Sequence, residues 1–171
     1  MSIRIFSKAL MTIPTPRIHD MKGVYSLIIS NKKDQEIPIG ARGPIYFKKG
    51  YWIYVGSAQG TGSTNLKNRL QRHFRKDKKI HWHIDHLLIA DVELIEAIWA
   101  GTDENCECVI AAYLGESDLF QWGPIGFGAG DCRTSCKSHL FLYKRSKDVI
   151  ATLEGVFENL GLIPRKYSDL V

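Results

Sequence analysis

Gly23-Val24-Tyr25-Ser26-Leu27-Ile28-Ile29 and Tyr51-Trp52-Ile53-Tyr54-Val55-Gly56-Ser57-Ala58 set the architecture of this chain. Both runs are rich in β-branched and aromatic residues and are bounded by glycine and polar residues, so both are expected to be strands. Side chains alternate along a strand, so Tyr25 and Tyr54 share a face only if the two strands pair in the right register. Paired that way, two phenols would meet the cations of the segment that follows. Phenols handle protons, and Arg and Lys hold phosphates, so the pairing points to phosphodiester chemistry.

In the following segment Leu66, Leu70 and Phe74 recur every four residues, the apolar stripe of a helix. Arg69, Arg72 and His73 fall at i, i+3 and i+4 on one flank of it. Ser63 or Thr64 is the expected cap. From Leu66 to Lys79 seven cations stand against Asp77 alone, whereas the whole chain nets only +5. A positive excess confined to one segment is a footprint for a polyanion, although a solvated helix face gives the same pattern.

Away from this core, Ile37–Gly50 carries Pro38, Gly40, Gly43 and Pro44 and reads as an edge strand or loop, with a brief strand at Ile45–Phe47. His81–Leu88 reads as a short helix with Ile84, Leu87 and Leu88 inward. Val92–Trp99 is a third strand. Asp103 or Asn105 is expected to cap a helix running through Cys108, Ile110, Ala111 and Leu114. Gly123–Gly130 is a loop and His139–Tyr143 a last strand. A terminal helix, capped by Ser146 and lined by Val149, Leu153, Val156, Phe157 and Leu160, ends at Gly161 and Pro164. The order of elements predicts an α+β fold: a small antiparallel sheet with extra edge strands, flanked by helices.

The 171 residues suit one domain over 21–171. Residues 1–20 read as an extension with a possible short strand at Ser2–Phe6 and breaks at Pro14 and Pro16. That extension is basic, contains serine and lacks a secretory apolar core, a composition shared with organellar transit peptides. No apolar run approaches the roughly 20 residues of a membrane span. Cys106, Cys108, Cys132 and Cys136 are therefore expected to be reduced thiols of a cytoplasmic protein.

Gly23-Val24-Tyr25, Tyr54-Val55-Gly56-Ser57-Ala58 and Asn68-Arg69-Leu70-Gln71-Arg72-His73-Phe74 together resemble the GIY-YIG nuclease superfamily. The likeness is greatest to its small stand-alone branch, whose members sometimes occur fused to endonuclease III-type repair enzymes. The pattern of that branch extends to His81-Trp82-His83-Ile84-Asp85 and Cys136-Lys137-Ser138-His139-Leu140-Phe141. The resemblance implies a three-stranded antiparallel core and hydrolysis of a nucleic-acid phosphodiester with one divalent cation, Mg²⁺ or Mn²⁺. It implies Tyr25 and Tyr54 as the motif tyrosines, Arg69 against the phosphate, His73 in proton handling, Gly56 for close backbone approach and Glu107 as metal ligand, with Glu104 its rival. A nearby cation would lower a phenol and make it a base. Valine replaces isoleucine in both triplets, which keeps a β-branched core residue.

The remaining expectations concern binding. Gly56, Lys67, Arg72, Arg75, Lys76, His81 and His83 are the candidate nucleic-acid contacts, DNA before RNA, with a DNA-repair protein as a candidate partner. Trp82 could stack on a base. Cys132, Cys136 and His139 could hold zinc with Cys106 or Cys108, but packed thiols are the expected reading. Asp131 and Ser138 are alternative substrate contacts. A metal-dependent endonuclease is the leading function. A non-catalytic nucleic-acid-binding module is the second, and a zinc-stabilised interaction domain the third.

Overall fold

The three long apolar runs become three strands of nine residues each: β1 Gly23–Asn31, β4 Gly50–Ala58 and β5 Glu93–Gly101. They were located in a computed structural model that describes residues 21–132, 134 and 136–171. The extension over 1–20, with its expected strand and proline breaks, lies outside the described residues. Between the first two long strands, β2 (Gln35–Pro38) and β3 (Pro44–Phe47) form a separate hairpin, which is how the Pro- and Gly-rich insert resolves. Its turn uses Gly40 and Gly43 at φ 51° and 73°, where only glycine is unstrained.

Helices α1 (Leu66–Phe74) and α2 (His83–Ile89) lie between β4 and β5 in sequence. After β5 come α3 (Glu107–Glu116), β6 (Phe120–Trp122), β7 (Leu140–Tyr143), α4 (Val149–Asn159) and β8 (Arg165–Lys166). The main sheet is antiparallel, six-stranded, in the order β6-β7-β4-β1-β5-β8. The α+β antiparallel expectation holds, and the three-stranded core sits at the centre of a wider sheet. At three and two residues, β6 and β8 are too short to show a strand period in sequence.

Register fixes what each face carries. Tyr25 pairs with Gly56 and Leu27 with Tyr54, so the two tyrosines are diagonal neighbours on one face. That face packs Tyr25, Leu27, Trp52, Tyr54 and Trp99 against α1, α2 and the hairpin. The other face packs Val24, Ile28, Ile53, Val55 and Ile98 against α3 and α4. Fully burying one such side chain stabilises the fold by about 1.5–3 kcal/mol. In β5 the register slips opposite Ile28 and Ile29, leaving Ile95 as the extra residue of a bulge.

Three expected caps are corrected. Asn65, not Ser63 or Thr64, caps α1 by accepting from the Asn68 N–H at 2.8 Å, because the two hydroxyl residues belong to a 3₁₀ turn over Gly62–Thr64. Cys106 precedes α3 without a side-chain cap bond, in place of Asp103 or Asn105. Asp148, in the left-handed region at φ 60°, precedes α4 in place of Ser146. The end of α4 is as expected, with Gly161 at φ 74°. No helix among the described residues is long and apolar enough to cross a membrane.

Candidate active site

The pairing of Tyr25 with Gly56 has a steric reason. A Cβ on residue 56 would lie 2.6 Å from both the Cζ and the hydroxyl of Tyr25. The close approach that Gly56 permits is therefore that of the Tyr25 ring. Seated there, the Tyr25 hydroxyl meets His73 Nε2 of α1 at 2.8 Å. Tyr54 stands edge-on to the same imidazole, with ring centres 6.5 Å apart, and to Phe127 at 6.4 Å. Phe127 is fully buried and anchors the Gly-rich loop over Tyr54. Gly128, at φ 68°, lets that loop pass because a Cβ there would come within 2.7 Å of the Tyr54 ring.

The three ionisable rings of this pocket, Tyr25, Tyr54 and His73, are uncharged at ordinary pH, although Arg69 and Lys78 stand near them. Burial raises the Tyr25 pKa, and the nearby Arg69 does not overcome it. Burial also raises Tyr54 well above the usual phenol value, with Tyr25 and Glu107 adding to the effect. His73 is pulled down to about 3, first by burial and then by Lys78. Its Nδ1 is buried without a hydrogen-bond partner. The expectation of a cation-lowered phenolate is thus corrected: desolvation is the larger effect.

Arg69 donates from Nη1 to the Ser57 carbonyl at 3.0 Å and lies over the Trp82 ring. Glu107 begins α3 on the opposite face of the sheet, yet its Oε2 accepts from the Ser57 hydroxyl at 2.7 Å. Ser57 therefore gathers the guanidinium through its backbone and the carboxylate through its side chain. The alternation that puts Tyr54 and Gly56 on one face puts Ser57 on the other, which is the signal that marks it. Glu104 is exposed, and its carbonyl accepts from Gln59.

The cations expected to meet nucleic acid divide. Arg72 grips Asp85 with two bonds of 2.8 Å and also donates to the Lys79 carbonyl. Asp85 is 0% exposed and accepts from the backbone N–H groups of His81 and Trp82. Burial works to raise its carboxyl, but Arg72 and those two N–H groups hold it at about 2. Arg72 is thus a partly exposed strut between α1 and α2 that is anchored on a fully buried carboxylate. Lys76 donates to the carbonyls of Leu88 and Val92. Lys78 donates to that of His73, and burial lowers it to about 8. Arg75 and His81 are exposed, and Lys67 is half-buried. His83 faces the Gly-rich loop, accepting from the Gly128 N–H at 3.5 Å and packing on Phe127. Trp82, partly exposed, already carries both Arg69 and Arg72 over its ring, at 4.8 and 4.3 Å.

Beside Glu107 lies a second cluster. Cys108 Sγ is 3.3 Å from Cys132 Sγ and 4.0 Å from His139 Nε2. The Cys136 N–H donates to Cys132 Sγ at 3.4 Å. The four ligand atoms of Cys108, Cys132, Cys136 and His139 lie within 4.8 Å of one another. Of the two cysteines expected to complete the set, Cys108 does so. His139 Nδ1 is 2.7 Å from Glu107 Oε1, a close ion-pair contact set off the line of a straight hydrogen bond. Burial works to lower His139, but Glu107 and the adjacent thiols raise it to about 9. Burial works to raise Cys132 as well, but the Thr134 hydroxyl and the Cys136 N–H bring it down to about 6. Ser138 is buried and donates to the Phe127 carbonyl, so it does not face substrate; Asp131 is exposed. A groove of about 640 Å³, lined by Cys108, Trp122, Cys136 and Lys137 among others, opens beside the thiols and not over the phenols.

A family model described as "Domain of unknown function DUF123" matches residues 24–162. No curated protein and no solved structure matches the chain.

Proposed function

The chain belongs to the DUF123 family, and we propose that it is a GIY-YIG-type endonuclease that hydrolyses nucleic-acid phosphodiester bonds, DNA before RNA. One observation carries this reading. A guanidinium, a carboxylate and a phenol–imidazole pair from α1, α3 and β1 converge on Gly56 and Ser57 of β4. The free thiols suit a cytoplasmic setting, and the family resemblance suits a role in DNA repair.

Arg69 uses one N–H on Ser57 and has others for phosphate oxygens, where a preorganised cation acts most strongly as charge builds in the transition state. Tyr25 is neutral, so it serves by orienting the attacking water through its hydroxyl, which His73 fixes. Tyr54 flanks the same imidazole. Glu107 is 18% exposed and uses two contacts of the roughly four its oxygens accept, which leaves room to ligate one hard cation. Mg²⁺ or Mn²⁺ bound there would neutralise charge on the phosphate. Lys67 and Arg75 supply phosphate contacts along the approach.

The burial of Tyr25, Tyr54 and His73, at 1%, 8% and 2% exposure, favours a second reading, a nucleic-acid-binding module without chemistry. Incubation with supercoiled plasmid, branched DNA and RNA in Mg²⁺ or Mn²⁺ separates the two. Nicking that falls about 10²–10³-fold in Arg69→Ala supports the nuclease. Gel retardation without nicking on every substrate supports the binding module.

A further inference from the structure

We propose that Cys108, Cys132, Cys136 and His139 form a zinc site and that Glu107 braces its histidine, so the metal fixes the position of the active-site carboxylate. The assignment of the metal stands apart from any nuclease activity. Only the link to catalysis rests on the reading above.

The donor set is three sulfurs and one imidazole, which suits zinc and not the hard cations Mg²⁺ or Ca²⁺. With Zn–S bonds of about 2.3 Å, a tetrahedral site places its sulfurs about 3.8 Å apart. The observed spread, 3.3 Å between Cys108 and Cys132 and no pair beyond 4.8 Å, needs only small side-chain adjustments to reach that shape. Cys132, Cys136 and His139 come from the segment leading into β7, and Cys108 comes from α3. The metal would therefore staple that segment to the helix that begins with Glu107. The N–H of Cys136 pointing at Cys132 Sγ is a contact that supports a thiolate ligand. Two of the half-buried thiols, Cys108 and Cys136, border the groove of about 640 Å³, which gives the ion a way in.

The two ring nitrogens of His139 are already distinguished. Nδ1 contacts Glu107, so Nε2, the nitrogen nearer Cys108, is the one left to bind metal. A carboxylate on the far nitrogen of a ligating histidine sets its tautomer and ring orientation. Here the same contact orients Glu107 in return, because its other oxygen is held by Ser57.

The test uses the full chain, purified under reducing conditions and equilibrated with zinc alone. One zinc per chain is expected, lost in the Cys132→Ser/Cys136→Ser double variant. Cobalt(II) in its place should give thiolate-to-metal charge-transfer absorption and intense tetrahedral d–d bands. That spectrum decides the matter on the unmodified protein if the double variant fails to fold. Glu107→Gln should keep the stoichiometry but bind zinc about 10–100-fold more weakly in chelator competition. Failure to take up zinc with four titratable thiols, or a Cys108–Cys132 disulfide in that preparation, overturns the site. Unchanged zinc affinity in Glu107→Gln overturns the brace. An inactive protein that holds zinc would count against the nuclease and not against this site.

Discussion

The phenol pocket and the thiol cluster lie on either side of the same strand ends, and they are built on opposite physics. On the α1–α2 side, aromatic rings exclude water, and Tyr25, Tyr54 and His73 are kept uncharged by burial. On the α3 side, His139 and Cys132 favour their charged forms, because neighbouring partners outweigh burial, and the Glu107 carboxylate lies 2.7 Å from the His139 ring. Ser57 is the hinge between them, with its carbonyl serving one side and its hydroxyl the other.

The largest expected effect concerns what holds the neutral side together. Arg72→Ala leaves Asp85 as an uncompensated buried charge and should cost about 3–5 kcal/mol in denaturant unfolding. Loss of nucleic-acid affinity without loss of stability would instead make Arg72 a phosphate contact and place charge in the pocket. Next is Gly56→Ala, whose Cβ meets the Tyr25 ring at 2.6 Å and should cost about 1–3 kcal/mol by overpacking. The shift should shrink when Tyr25→Leu removes the ring. If it does not, the glycine serves something other than that ring.

The third effect, about 2 kcal/mol between pH 7 and 5, appears as a slope. His73 has a folded pKa near 3 against about 6.5 unfolded, so the unfolded chain binds the extra proton between those values. Its share of stability is complete above pH about 6.5 and falls by up to about 1.4 kcal/mol per unit as pH drops toward 3. Urea titrations from pH 7 to 5 should show this loss, and His73→Asn should flatten it. A flat curve in the parent protein would mean that His73 can ionise in place, and the contrast between the two sides would lose its basis.

Much of the phenol side was legible in the sequence. Alternation and helical spacing marked the two strands and the helix flank that carries Arg69, Arg72 and His73, because these are short-range periodic signals. The register that brings Tyr25 and Tyr54 to one face and to His73 is instead a long-range pairing that the sequence left open. Which cations are free was not legible. Arg72 and Lys76 look like their neighbours in sequence, and only the fold brings Asp85 and the carbonyls of Leu88 and Val92 to them. The contact between Glu107 and His139 joins segments with no shared period, so spacing could not announce it. The caps at Asn65 and Asp148 were missed because several capping residues stand together, and only backbone geometry chooses among them.

The edge of β5 away from β1 is irregular. Its bulge at Ile95 is followed by Glu96, whose buried carboxylate accepts from the backbone N–H groups of Ala97 and Ser168. Two residues of β8 cover Ile98 and Trp99. A strand from another molecule would find this border kinked at the bulge and partly covered by β8, two features that oppose edge-to-edge pairing.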